Sequence, residues 1–79
     1  MTICAVLNKK ENQKKIYELL DNYDIESSRK VVIEILEKAK DNELKDNKDV
    51  NKAIDIFKKC RNENQYLSTL GTYMTCINV

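Results

Sequence analysis

Chemistry in a chain begins with side chains that release a proton, attack a carbon or hold a metal, and here they are few and scattered. The thiols are Cys4, Cys60 and Cys76, and there is no histidine. A tetrahedral zinc site needs four nitrogen or sulfur ligands, so three distant cysteines with no CxxC pair do not complete one. Without an imidazole the commonest general base is missing, and no serine or cysteine has its usual activating partner. Unpaired cysteine behaves as a small buried hydrophobe, and all three are read that way. The alternative is a Cys4–Cys76 contact between the chain ends, a disulfide if the protein is exported.

Carboxylates are plentiful but sit in lysine-rich polar stretches. Acid–base work needs a shifted pKa in a cleft, so these are read as solvated faces. The one glycine, Gly71, rules out a glycine-rich phosphate loop. The expectation is therefore a protein that is not an enzyme, with no cofactor and no metal.

Charge narrows the partners. Fourteen Lys or Arg face thirteen Asp or Glu, for a net charge of +1. Dedicated nucleic-acid binders usually show a basic excess, although balanced totals can hide a basic face. Three basic clusters exist: Lys9, Lys10, Lys14 and Lys15; Arg29 with Lys30; and Lys58, Lys59 and Arg61. Each is interleaved with or flanked by acidic residues, so an ordinary solvated face is favoured over phosphate contact, and nucleic acid is a possible but not a favoured partner.

The elements that must position these residues are mostly helical. Proline is absent, and 42% of the chain is hydrophobic, more than a disordered segment carries. The expected fold is mostly α, a single helical domain over residues 1–79. It is read as a three-helix bundle with helices at about 9–22, 28–40 and 48–70. Asn8 with Glu11 suits a capping box for the first helix, with Ile16, Leu19, Leu20 and Tyr23 as its apolar stripe. Ser27 or Ser28 suits the cap of the second. Its residues Val31, Val32, Ile35, Leu36 and Ala39 share one arc, with Ile33 outside it. Asp41 to Asp49 reads as a solvated loop in which Leu44 is the lone apolar residue. Asp46 or Asn47 suits the cap of the third helix, whose stripe is Val50, Ala53, Ile54, Phe57 and Cys60. Gly71 suits its C′ position, and the cluster Asn62-Glu63-Asn64 is the place where that helix would divide. Residues 2–7 suit either a short strand or the first turns of helix 1. Paired with 72–79, they would form a two-stranded ribbon, the arrangement preferred here.

A short strand followed by two helices is similar to the order of the ribbon–helix–helix repressors. The segment Asp24-Ile25-Glu26-Ser27-Ser28-Arg29 resembles their turn and cap. That resemblance implies a dimer whose paired strands enter the major groove. It spans about half the chain, and Thr2, Cys4 and Val6 occupy positions where the family carries polar or basic base-readers. The stretch Asp24-Ile25-Glu26-Ser27-Ser28 also resembles the Asp-Ser-Leu phosphopantetheine site of acyl carrier proteins, with Glu26 in place of Asp and Ser28 in place of Leu. The long loop before that site is missing, and Ser27 is read as a helix cap.

Residues 3–7 are too short for the apolar core of a signal peptide, and no apolar run reaches membrane-spanning length. The expected setting is the cytoplasm. The leading functional expectation is a small interaction or regulatory protein that binds another protein and self-associates as a dimer. The rival is a dimeric nucleic-acid-binding regulator of the strand–helix–helix type. The candidate partner-binding residues are Ile33, which lies off its stripe, Tyr66, which would point away from Phe57 on one continuous helix, and Tyr73 in the apolar tail. Tyrosine is a favoured interface anchor.

Overall fold

The computed structural model describes residues 1–76 as five helices packed against one another, with no strand among those residues. They are α1 (Ile3–Leu7), α2 (Lys10–Asp21), α3 (Ile25–Ala39), α4 (Val50–Lys58) and α5 (Glu63–Met74).

Helix α1 replaces the expected strand. Its apolar residues Ile3, Val6 and Leu7 are buried. Their i, i+3, i+4 spacing places all three on one helical face, whereas a strand would split them between two. Thr2 caps the helix, its Oγ1 accepting from the Ala5 N–H at 3.2 Å. The ribbon is therefore not formed: residues 2–7 are the cap and body of α1, and 72–74 are the last turn of α5. Thr75 is the C-cap of α5 and Cys76 follows it without regular structure, while residues 77–79 lie outside the described residues.

Asn8 closes α1 instead of opening α2, so the capping box with Glu11 does not form. Its side chain has other work: Nδ2 donates to the Cys4 and Met74 carbonyls, both at 2.8 Å. Asn12 Nδ2 donates to the Val6 carbonyl at 2.9 Å, and Gln13 Nε2 to Asn8 Oδ1 at 3.2 Å. The Cys4 and Val6 carbonyls also accept from the Asn8 and Lys9 N–H groups, at 2.9 and 3.2 Å, so the asparagine amides are second partners that tie the end of α1 to its surroundings.

Helix α3 begins three residues earlier than the serines suggest. Asp24 is its N-cap, with the Ser27 N–H donating to Oδ1 at 3.2 Å. Val32, Leu36 and Ala39 form its buried line, and Val31, Ile33 and Ile35 are half-buried at its flanks. The charged segment after it is pinned by Leu44, which is buried and donates its N–H to the Ala39 carbonyl at 2.7 Å.

The third expected helix divides at the asparagine cluster. Helix α4 buries Val50, Ala53, Ile54 and Phe57, four of the five residues of the stripe read from the sequence; the fifth, Cys60, lies past the C-cap Lys59 and is half-buried, and Asp49 is the N-cap, with neither Asp46 nor Asn47 in that position. Helix α5 then starts anew at Asn62, whose Oδ1 accepts from the Gln65 N–H at 2.9 Å. Gln65 Oε1 reaches back to the Arg61 N–H at 2.8 Å, a reciprocal pairing that favours a fresh helix over a continued one. Gly71 lies inside α5, which runs on because Tyr66, Leu70 and Met74 continue its buried line at i, i+4, i+8.

Candidate partner-binding surface

The three residues expected to meet a partner are not gathered into one exposed patch. Ile33 is half-buried and packs on the core. Tyr66 is 1% exposed, and Tyr73 is half-buried. Both rings meet Phe57, with centroids 6.0 Å away for Tyr66 and 5.5 Å for Tyr73. The expectation that Tyr66 points away from Phe57 assumed one continuous helix. The break before Asn62 turns α5, and the turn brings Tyr66 inward.

Inside, Tyr66 has a polar task. Its hydroxyl lies 2.7 Å from Ser28 Oγ, and Ser28 donates to the Ile16 carbonyl at 3.4 Å. Because the serine has one proton, the phenol is the donor in the first bond, and the relay runs Tyr66 to Ser28 to the α2 backbone. Burial pushes the Tyr66 phenol up to about 12, so it stays a donor at any physiological pH. Ser28 is a buried link between three helices and not a cap.

Tyr23 takes the opposite course. As the last of the α2 stripe it was expected in the core, yet it is 89% exposed. The helix ends before the stripe reaches it. Asn22 is the C-cap, the Tyr23 N–H bonds the Leu20 carbonyl at 3.0 Å, and the Asp24 N–H bonds that of Leu19 at 2.9 Å. These two bonds define a Schellman ending, whose C′ residue must be left-handed. Tyr23 accordingly has φ 59°, a conformation that suits glycine and penalises a bulky side chain.

Tyr23 stands on the rim of an open depression of about 400 Å³, with Ile25, Arg29, Cys60, Arg61 and the edge of Tyr66 also lining it. Arg29 is held within it. Its guanidinium makes an ion pair with Glu26 and donates to the Phe57 carbonyl at 3.1 Å, so it caps the end of α4. The hydrogen bond between them holds the Glu26 carboxyl below its ordinary range and raises the Arg29 guanidinium above its own.

A second open groove, of about 280 Å³, has Val6, Ile35 and Ala39 along its floor and the Lys9–Glu43 ion pair, 3.0 Å, on its rim. Among the basic residues singled out in the sequence, Lys9, Lys14, Arg29, Lys58 and Lys59 are ion-paired. The strand that the ribbon–helix–helix resemblance requires is helix α1.

Among the described residues, no three Cys, Asp or Glu side chains gather as metal ligands, and no helix is long and apolar enough to cross a membrane. No family model, no characterised protein and no solved structure matches the chain.

Proposed function

We infer that this chain is a small helical protein that works by binding another protein, not by catalysis, with Tyr23 as its anchor. One observation carries the reading. A tyrosine occupies a left-handed position where glycine would cost less, and its ring is turned to solvent. A left-handed non-glycine residue costs about 1–2 kcal/mol, and burial offsets little of that when the side chain is 89% exposed. Strained residues with no structural return concentrate at sites kept for function. Tyrosine is also a side chain that anchors protein interfaces, because its ring buries a large area at little entropic cost. The depression beside it offers a seat for a partner's side chain.

Self-association belongs to the same reading, since a chain of 79 residues has a small core that a second copy would supplement. The proposed setting is the cytoplasm, where a disulfide between Cys4 and Cys76 would be transient or redox-sensing and not a permanent staple. The test compares wild type with Tyr23→Gly, with Tyr17→Ala as an exposed-tyrosine control. Sedimentation equilibrium and affinity capture should show complexes that Tyr23→Gly loses and Tyr17→Ala keeps. Complexes that all three proteins form equally, or a wild type that forms none, would overturn the reading.

A further inference from the structure

The two ends of the chain are joined. Cys4, in the first turn of α1, is bonded to Cys76, two residues past the end of α5, with 5.6 Å between their Cα atoms. Non-covalent contacts hold the same seam. Asn8 Nδ2 donates to the Met74 carbonyl at 2.8 Å, and Ile3, Val6 and Leu7 share one core with Leu70 and Met74. The bond therefore closes a joint that is already packed.

Two features bear on its chemistry. Cys76 is exposed while Cys4 is half-buried, so an external thiol reaches Cys76 first. The Thr2 hydroxyl lies 3.4 Å from Cys4 Sγ. A disulfide sulfur carries no proton, so the hydroxyl is the donor, and it is placed to stabilise a thiolate leaving at Cys4.

We propose that the Cys4–Cys76 bond is a redox-operated clasp on α1, closed when oxidised and opened by a small cellular thiol such as glutathione. A glutathione thiolate attacks Cys76 Sγ, the S–S bond breaks, and its electron pair leaves on Cys4 as thiolate beside the Thr2 hydroxyl. A second thiolate attacks the glutathione sulfur of the mixed disulfide and releases Cys76 with glutathione disulfide. Two thiols are oxidised, one protein disulfide is reduced, and both cysteines take protons from water. Glutathione disulfide closes the clasp by the reverse route.

Helix α1 is the part that responds. It has five residues, whereas helices shorter than about 12–15 residues are marginal by themselves. Once the clasp opens, packing and hydrogen bonds such as those of the Asn8 and Asn12 amides hold it. Undocking exposes Ile3, Val6 and Leu7, and it removes Val6 from the floor of the Lys9–Glu43 groove. Cys60 is half-buried, free and donates its S–H to the Ile56 carbonyl at 3.3 Å, so it serves as the control thiol.

Hydrogen exchange on the full chain tests the proposal. The protein is equilibrated first with glutathione disulfide and then with excess glutathione. The readout is the protection of the Val6 and Asn8 amides relative to amides of α4, because a bond that only stabilises the whole fold would move both together. Reduction is expected to lower that ratio by about tenfold or more, the signature of local opening. Cys4→Ser should reproduce the reduced pattern and Cys60→Ser the wild-type response. An unchanged ratio after reduction of the wild type would overturn the clasp. So would three free thiols after treatment with glutathione disulfide.

Discussion

Replacing Tyr23 by glycine and by alanine separates backbone strain from side-chain loss. Both substitutions remove the ring, so their difference isolates the left-handed backbone at φ 59°. A non-glycine residue there costs about 1–2 kcal/mol from the clash of Cβ with the following carbonyl. Glycine avoids that clash but loses about 0.5–1 kcal/mol more in chain entropy on folding. The difference leaves Tyr23→Gly more stable than Tyr23→Ala by about 0.5–1 kcal/mol. In a helix interior the same pair of substitutions would rank the other way, by a similar amount. The sign is therefore the test. The ring itself adds little, because it is 89% exposed, and Tyr23→Gly should be no less stable than wild type within about 0.5 kcal/mol. Urea unfolding of the oxidised proteins, analysed with a common m-value, gives the ranking directly. For a domain of this size the glycine variant should melt about 3–6 °C above the alanine variant. A glycine variant equal to or weaker than the alanine variant would refute both the strain and the case for Tyr23 as a residue kept for function.

Phe57 is fully buried between Tyr66 and Tyr73, so Phe57→Ala should cost about 3–5 kcal/mol in urea titration; a loss under about 1 kcal/mol would reject its central place. Ser28→Ala strands the buried Tyr66 hydroxyl and should cost about 1–3 kcal/mol. In the Ser28→Ala, Tyr66→Phe double variant the two losses should be less than additive, and strict additivity in the double-mutant cycle would deny the relay. The phenol of Tyr66 is raised from 10.0 to about 12 in the folded protein. The folded form therefore holds its proton where the unfolded form has lost it, and its contribution is complete below pH 10 and fades as pH rises from 10 towards 12. Wild type should lose stability across that window more steeply than Tyr66→Phe, by up to about 1.4 kcal/mol per pH unit; parallel profiles would contradict the assignment.

The amphipathic patterns were legible where one helix face meets one core. The α4 stripe and the line Val32, Leu36, Ala39 of α3 stand where their spacing puts them. Boundaries were less legible, and each misplaced one carried a side chain with it. Carrying the α2 stripe on to Tyr23 turned that residue into a core residue, and extending α4 through Asn62 turned Tyr66 into a surface one. Neither error concerns hydrophobicity. Both concern backbone ends, set by the Asn62 side-chain cap at α5 and by backbone bonds at the end of α2, neither of which a pattern of apolar residues encodes. The Schellman ending of α2 was hidden for the same reason, because its usual signal is a glycine and this chain places tyrosine there. At residues 2–7 the β-branched composition argued for a strand, while the i, i+3, i+4 spacing of Ile3, Val6 and Leu7 argued for a helix. With helices α3 and α5 as the neighbours to be covered, the spacing prevailed.

Short helices make these polar connections decisive. The helices α1 and α4 have five and nine residues, below the length at which a helix holds itself in water. Each is fastened by side chains acting on its terminal carbonyls. Asn8 and Asn12 serve the carbonyls of Cys4 and Val6 in α1, and Arg29 of α3 serves that of Phe57 in α4. Ser28 and Tyr66 tie α3 and α5 to the backbone of α2 through a relay with no exposed member. Apolar burial drives these helices together, but it is non-directional and would accept several arrangements. The amides, the guanidinium and the hydroxyl pair accept one. Among residues so consistently turned to the service of the fold, Tyr23 stands apart, since its conformation opposes stability and its ring contributes almost no burial. Local choices that agree with the fold throughout, and conflict with it at one exposed aromatic, mark that aromatic as the place where something other than folding sets the residue.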